Sequence, residues 1–207
     1  MFLIFDTETT GLPKNFNAPI SDFGNWPRCV QIAWQLHSYD GSLIEHNNFI
    51  VKPDQFDIPY QSEKIHGIST ALANKEGKSI EFVLKSFIEV LSKTKILVGQ
   101  NLKFDLNIIG SEFLRLGLNN DWLKLPLLDT CTENTAQLCK LKGGRGGRFK
   151  LPTLSELHKF LFGTPFEGAH NATSDVEATA RCFFELIRKQ LFQQSELLMS
   201  DKEYSEY

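Results

Sequence analysis

The chain of 207 residues is poor in cysteine, in surplus charge and in long apolar runs. Its four cysteines are Cys29, Cys131, Cys139 and Cys182. None forms a C-x-x-C pair and no spacing matches a zinc site, so they read as small buried thiols of a reducing compartment. Lysine and arginine number 22 against 25 acidic residues, a net charge of −3. That balance argues against a protein that works by broad phosphate neutralisation. It does not argue against carboxylates that hold cations, because a bound ion inverts the local charge. No apolar stretch is long enough to span a membrane. The opening Met1-Phe2-Leu3-Ile4-Phe5 is too short for a signal peptide and has no basic residue before it. The expectation is a soluble, cytoplasmic protein with no membrane association.

No internal repeat is visible, and the length suits one domain with one sizeable core. Residues 2–6 read as a buried strand, and residues 12–28, rich in Pro, Asn and Gly, as a long loop. Residues 29–38 and 43–51 read as two strands about the turn Asp40-Gly41, giving three strands in antiparallel order. Ile80, Val83, Leu84, Phe87, Ile88 and Leu91 have helical spacing within 79–92. A short strand at 96–98 precedes a helix over 101–116 that stops at Gly117. Residues 127–130 read as another short strand. Thr153 with Glu156 makes a capping box for a helix over 153–162. A last helix covers 172–190. The expected layout is a domain over 1–190 and a short polar, mobile tail over 191–207. Strands followed by alternating helices and short strands indicate an α/β fold with a central mixed sheet flanked by helices.

Several acids sit where acids are costly. Asp6 and Glu8 stand two apart on the first strand, so both point to one face, the face shared by Phe2 and Ile4. Adjacent carboxylates repel and raise a pKa unless a cation lies between them, and hard divalent cations prefer such oxygens. The alternative is that Asp6 merely begins a turn. Asp105 lies on a helical stripe with Ile108, Ile109, Phe113 and Leu116. A carboxylate on a buried face needs a partner or a metal, although negative charge near a helix N-terminus is favourable anyway. Asp175 shares a face with Ala178, Thr179, Cys182 and Leu186, and His170 stands just before that helix. An imidazole there suits proton transfer from water, or simply a capping or surface position.

Three stretches carry these residues in order: FDTETTGL (5–12), GQNLKFDLNII (99–109) and HNATSDVEATARCF (170–183). Together they resemble the DEDDh, or DnaQ-like, exonuclease superfamily, similar to the epsilon-subunit-like exonucleases of DNA polymerase III. IHGIS (65–69) and LLDT (127–130) resemble further landmarks of that family, and the likeness covers about residues 1–190. The resemblance implies a ribonuclease H-like fold and a 3′→5′ exonuclease. It would release nucleoside 5′-monophosphates from DNA with single-stranded or frayed 3′ ends. Two divalent cations, Mg2+ or Mn2+, would be held by Asp6, Glu8, Asp105 and Asp175, and His170 would be the general base. The same chemistry on RNA, or a non-catalytic nucleic-acid-binding relative, remains open at this point. So does a DNA polymerase as protein partner, although little follows residue 190 and Gln190-Leu191-Phe192 is too short to count as a clamp-binding motif.

The resemblance also suggests substrate contacts. The backbone around Thr7 and Thr9, with Leu12, resembles the part that meets the terminal nucleotide, and His66 and Asn101 resemble residues lining the same cleft. Phe104 could stack on a base, since every base offers a π face. Core packing is the alternative for Leu12 and Phe104, and a structural role in the turn before Gly67 is the alternative for His66. Residues 140–150 form a glycine-rich loop with five basic and no acidic side chains. It reads either as a phosphate-contacting arm or as a solvated insertion.

Overall fold

The computed structural model describes residues 1–199. Five strands form one sheet in the order β3-β2-β1-β4-β5. They are β1 (Phe2–Thr9), β2 (Cys29–His37), β3 (Leu43–Ile50), β4 (Ile96–Gly99) and β5 (Leu127–Asp129). β1–β2 and β2–β3 pair antiparallel, the second as the turn at Asp40-Gly41 requires, while β1–β4 and β4–β5 are parallel. The helices are α1 (Tyr60–His66), α2 (Thr70–Glu76), α3 (Ile80–Leu91), α4 (Lys103–Arg115), α5 (Glu133–Cys139), α6 (Leu154–Phe162), α7 (Ala172–Arg188) and α8 (Gln194–Leu197).

Strand alternation divides the core. The odd residues of β1, Leu3 and Phe5, join Val83, Leu84, Phe87, Ile108, Ile109 and Phe113 from α3 and α4. The even residues, Phe2 and Ile4, join Val176, Phe183, Leu186 and Ile187 from α7. Trp34 and Phe5 each approach Phe87 at about the same ring separation, 5.4 and 5.3 Å. α7 lies across β1 and β2. Asp6 and Glu8 continue the even series, so the strand's own periodicity aims them at the face that α7 covers.

Helix termini follow the expected chemistry. Thr153 accepts from the Glu156 N–H while Glu156 returns to the Thr153 N–H, the reciprocal pair that closes α6's first turn. The helices α1, α2 and α5, of seven residues each, were not expected. Seven residues give under two turns of apolar repeat, too few for the pattern to show. Their ends are nevertheless fixed locally, by Ser69 capping α2 and by Gly67 (φ 76°) ending α1.

The tail departs from expectation. Residues 194–199 are not a loose extension. Gln194–Leu197 form α8, and Phe192, Leu197 and Met199 are buried against the α7 side of the core. Two or three apolar side chains suffice to anchor an otherwise polar segment, since each fully buried one contributes about 1.5–3 kcal/mol. The burial of Phe192 against Phe183 (5.5 Å) also keeps it from serving as an exposed peptide anchor. Residues 200–207 of the expected tail lie outside the described residues. Among the described residues, no helix is long and apolar enough to cross a membrane.

Candidate active site

The site forms where the C-terminal end of β1 meets the first turns of α4 and α7. Asp6 and Glu8 come from β1, opposite Ala33 and Gln31 of β2. Asp175 comes from the first turn of α7, where the helix dipole favours an anion. One oxygen from each of Asp6, Glu8 and Asp175 lies within 4.8 Å of the others. Asp105 enters from α4 beneath Thr7. It is buried, at 4% exposure. Its Oδ1 accepts the Thr7 N–H (2.9 Å) and the Thr7 hydroxyl (2.6 Å).

All four carboxyls hold their protons more tightly than usual. Burial, then the charges of Asp105, Asp175 and Glu8, push Asp6 well above the ordinary range. Burial, then Asp175 and Asp105, push Glu8 to about 8. Burial pushes Asp105 to about 7 against the two Thr7 hydrogen bonds, and Asp175 to about 6 against the His170 N–H and ring. Among the described residues, no lysine or arginine pairs with any of the four. Such a set of converging hard oxygens lacks its compensating positive charge, and a divalent cation fits that lack.

His170 sits on the loop before α7 in a left-handed conformation, φ 68°. Its backbone N–H donates to Asp175 Oδ2 (3.0 Å), and its side chain is at the surface. Asn171 caps α7 by accepting from the Thr173 and Ser174 N–H groups. The structure therefore brings Asp6, Glu8 and Asp175 together, sets Asp105 alongside on Thr7, and leaves His170 at the rim.

The expected substrate contacts divide. Thr7 is committed to Asp105 through both its N–H and its hydroxyl, so its side chain positions an acid. The Thr9 hydroxyl donates to the Gly11 carbonyl (2.6 Å). Leu12 is 74% exposed, which excludes core packing. His66 is buried, and its Nδ1 accepts the Ile68 N–H (3.1 Å), the structural role in the turn. Burial lowers its pKa, and the neighbouring Thr9 backbone opposes the shift. Asn101 is exposed with φ 60°. Phe104 packs partly against the α3–α4 core, its ring 6.5 Å from that of the half-exposed Phe16.

Two side chains that hold the site were given no role from the sequence, although one of them, Asp129, lies in the LLDT stretch. Asp129, at the end of β5, accepts the N–H groups of Asn101 (2.8 Å), Leu102 (2.9 Å) and Cys131 (2.7 Å). It fixes the entry to α4, about one helical turn before Asp105. Gln31 is buried opposite Glu8. It accepts the Ala172 N–H (3.3 Å) and donates to Asn48 Oδ1 (2.8 Å), tying the start of α7 to the sheet. A glutamine inside an apolar strand was the only signal, and the 141-residue separation hid its partner.

Residues 3–183 match the RNase T family, whose description is exonuclease. The chain belongs to this exonuclease family. It is the DnaQ-like group that the three motifs resemble, and the mixed sheet with helices on both faces is its ribonuclease H-like fold. A DNA polymerase III PolC-type protein of Caldanaerobacter subterraneus subsp. tengcongensis is 31% identical over 188 residues. That stretch is 91% of this chain and 12% of the relative. The 3′-5′ exonuclease DinG of Bacillus subtilis is 27% identical over 91% of this chain and 18% of its own length. E. coli exonuclease I in complex with a dA16 oligonucleotide shares the fold at TM-score 0.72 and 22% identity, covering 95% of this chain and 44% of that one. This chain thus spans a small part of the curated relatives it matches.

Proposed function

We propose that the chain is a metal-dependent 3′→5′ exonuclease that releases nucleoside 5′-monophosphates from single-stranded or frayed 3′ ends of DNA. The observation that carries this reading is the convergence of Asp6, Glu8 and Asp175 within 4.8 Å, with Asp105 buried beside them. Mg2+ or Mn2+ suits these ligands: Asp6, Glu8, Asp105 and Asp175 would hold two such ions, which would supply a nucleophile from water near neutral pH and stabilise charge on the attacking and leaving oxygens.

The remaining tasks fall to the chain itself. His170 takes the proton of the attacking water. Its place on a surface loop, with its backbone N–H donating to Asp175 and its side chain exposed, supports a ring that swings to the carboxylates. Histidine exchanges a proton near neutral pH, and a positioned general base is worth about 10²–10⁴ in rate. Thr7 holds Asp105 in place. Leu12, exposed beside β1, offers an apolar edge against which the terminal base can be separated from its neighbour. Phe104 offers a stacking face to a base. His66 and Asn101 border the same cleft. The DNA preference rests on the polymerase-type relatives, and a DNA polymerase that generates such 3′ ends is the protein partner this reading implies.

A degradation assay tests the reading. Single-stranded DNA, duplex DNA and RNA, labelled at the 3′ or 5′ end, are incubated with and without Mg2+ or Mn2+. Release of mononucleotide from the 3′ end of DNA, only with metal, is expected. Stepwise loss from the 5′ end, or equal turnover by His170→Ala at neutral pH, refutes the polarity or the base respectively. Faster release from RNA would move the substrate to the ribonucleic side.

A further inference from the structure

The basic loop at 140–150 is a folded arm. The Lys150 N–H donates to the Leu141 carbonyl (2.9 Å), closing its base. At Gly144 the loop folds onto itself, where a Cβ would stand 2.3 Å from the Arg148 carbonyl oxygen. Only glycine fits there. Beyond the loop, the Pro152 carbonyl accepts Gln100 Nε2 (2.8 Å) and Cys131 Sγ (3.6 Å). Those two residues follow β4 and β5, so the arm stands at the C-terminal edge of the sheet, where Asp6, Glu8 and Asp105 also lie. β5 is two strands from β1, roughly 10 Å at ordinary strand spacing.

The arm's charge is unevenly compensated. Arg148 pairs with Glu133 (2.7 Å) and Lys150 with Glu156 (2.6 Å). Lys140, Lys142 and Arg145 are exposed and, among the described residues, form no ion pair. Arg145, Arg148, Lys150, Gln137 and Phe149 line a cavity of about 610 Å³, the range of sites that take ligands of nucleotide size. Five of the chain's 22 basic side chains fall in these eleven positions of a molecule whose net charge is −3. A strand that must approach four carboxylates needs such a local positive path.

We propose that this arm holds the phosphodiester backbone of the substrate strand a few nucleotides upstream of the 3′ terminus. Arg145 and Lys142 contact phosphates, and Phe149 walls the adjoining sugar or base. Arginine's planar fork suits phosphate oxygens, and lysine serves as a point charge. The inference rests on the exonuclease reading and deepens it, because it sets the length of strand the enzyme grips.

The test is equilibrium binding by fluorescence anisotropy, in calcium, over a range of salt. The probes are a long oligothymidylate and a thymidine dinucleotide, and the proteins are the wild type, a Lys142→Gln/Arg145→Gln double variant and an Arg145→Gln single variant. Each phosphate contact contributes about 0.7 to the salt slope for a single strand, so the double variant loses about 1.4 on the long probe. Its ratio of long-probe to dinucleotide affinity falls about tenfold, and the single variant falls between. An unchanged slope and ratio overturn the proposal while leaving the exonuclease reading intact. A wild type that shows the slope but releases no nucleotide from any 3′ end, with Mg2+ or Mn2+, defeats the exonuclease reading and leaves the strand-binding arm standing.

Discussion

Replacing Thr7 by valine tests how Asp105 is kept ready for a cation. The two side chains have nearly the same shape, and Thr7 is buried at 6% exposure, so packing changes little. What is lost is the hydroxyl at 2.6 Å from Asp105 Oδ1, while the Thr7 N–H at 2.9 Å remains. A hydrogen bond to a charged group is worth about 1.5–3 kcal/mol. Burial already pushes Asp105 to about 7, and the Thr7 hydroxyl works against that rise. Removing it favours the protonated acid by about one to two pH units. The anion is the form that holds metal, so activity is present above the pKa and lost as pH falls through it. The expected result is a tenfold to hundredfold fall in kcat/KM at pH 7, by about the same energy. The metal half-saturation rises with it, and activity recovers in alkaline buffer or at high Mn2+. Thr7→Ser keeps the hydroxyl and rescues the enzyme. A Thr7→Val variant whose pH profile and metal requirement match the wild type would refute this account of Asp105.

Three further outcomes follow from named contacts. Glu8 at about 8, Asp105 at about 7 and Asp175 at about 6 all lie above their unfolded values. The folded metal-free protein therefore binds more protons, and its stability falls as pH rises from about 4 to about 8. Mn2+ at a hundredfold excess over Kd should raise the melting temperature by about 5–10 °C at pH 8, and by less at pH 5. A calorimetric scan blind to metal at pH 8 would contradict the carboxylate site. Asp129→Asn swaps one accepting oxygen for an amide donor facing a backbone N–H. Urea unfolding should show a loss of about 1–3 kcal/mol, together with a higher metal requirement that Asp129→Glu partly restores. Leu197→Ala should cost about 2–5 kcal/mol because Leu197 is fully buried. A loose tail would give no change in the same titration.

Much of the carboxylate geometry could be read along the chain, because period alone places it. Two residues apart on a strand means one face, so Asp6 and Glu8 were paired with Phe2 and Ile4 before any fold was known. The stripe from Asp105 through Ile108, Ile109 and Phe113 likewise named the buried face of α4, and all four are buried. The capping box at Thr153 and Glu156 fixed the start of α6 within one residue.

What periodicity could not reach was any relation between distant positions. Thr7 meets Asp105 across 98 residues, a positioning contact that no local pattern announced. Asp129 finds the start of α4 only because β5 lies parallel to β4. Gln31 finds Ala172 only because α7 crosses β2. Leu197 and Met199 look like stray apolar residues in a polar tail until the surface of α7 provides the hollow they fill. The sequence by itself determined which side chains face inward and which acids stand where burial makes their charge costly, since those follow from local period and burial cost. Only the tertiary structure decided which hydrogen bonds hold those acids in place, because each depends on strand order and helix placement that no local window contains.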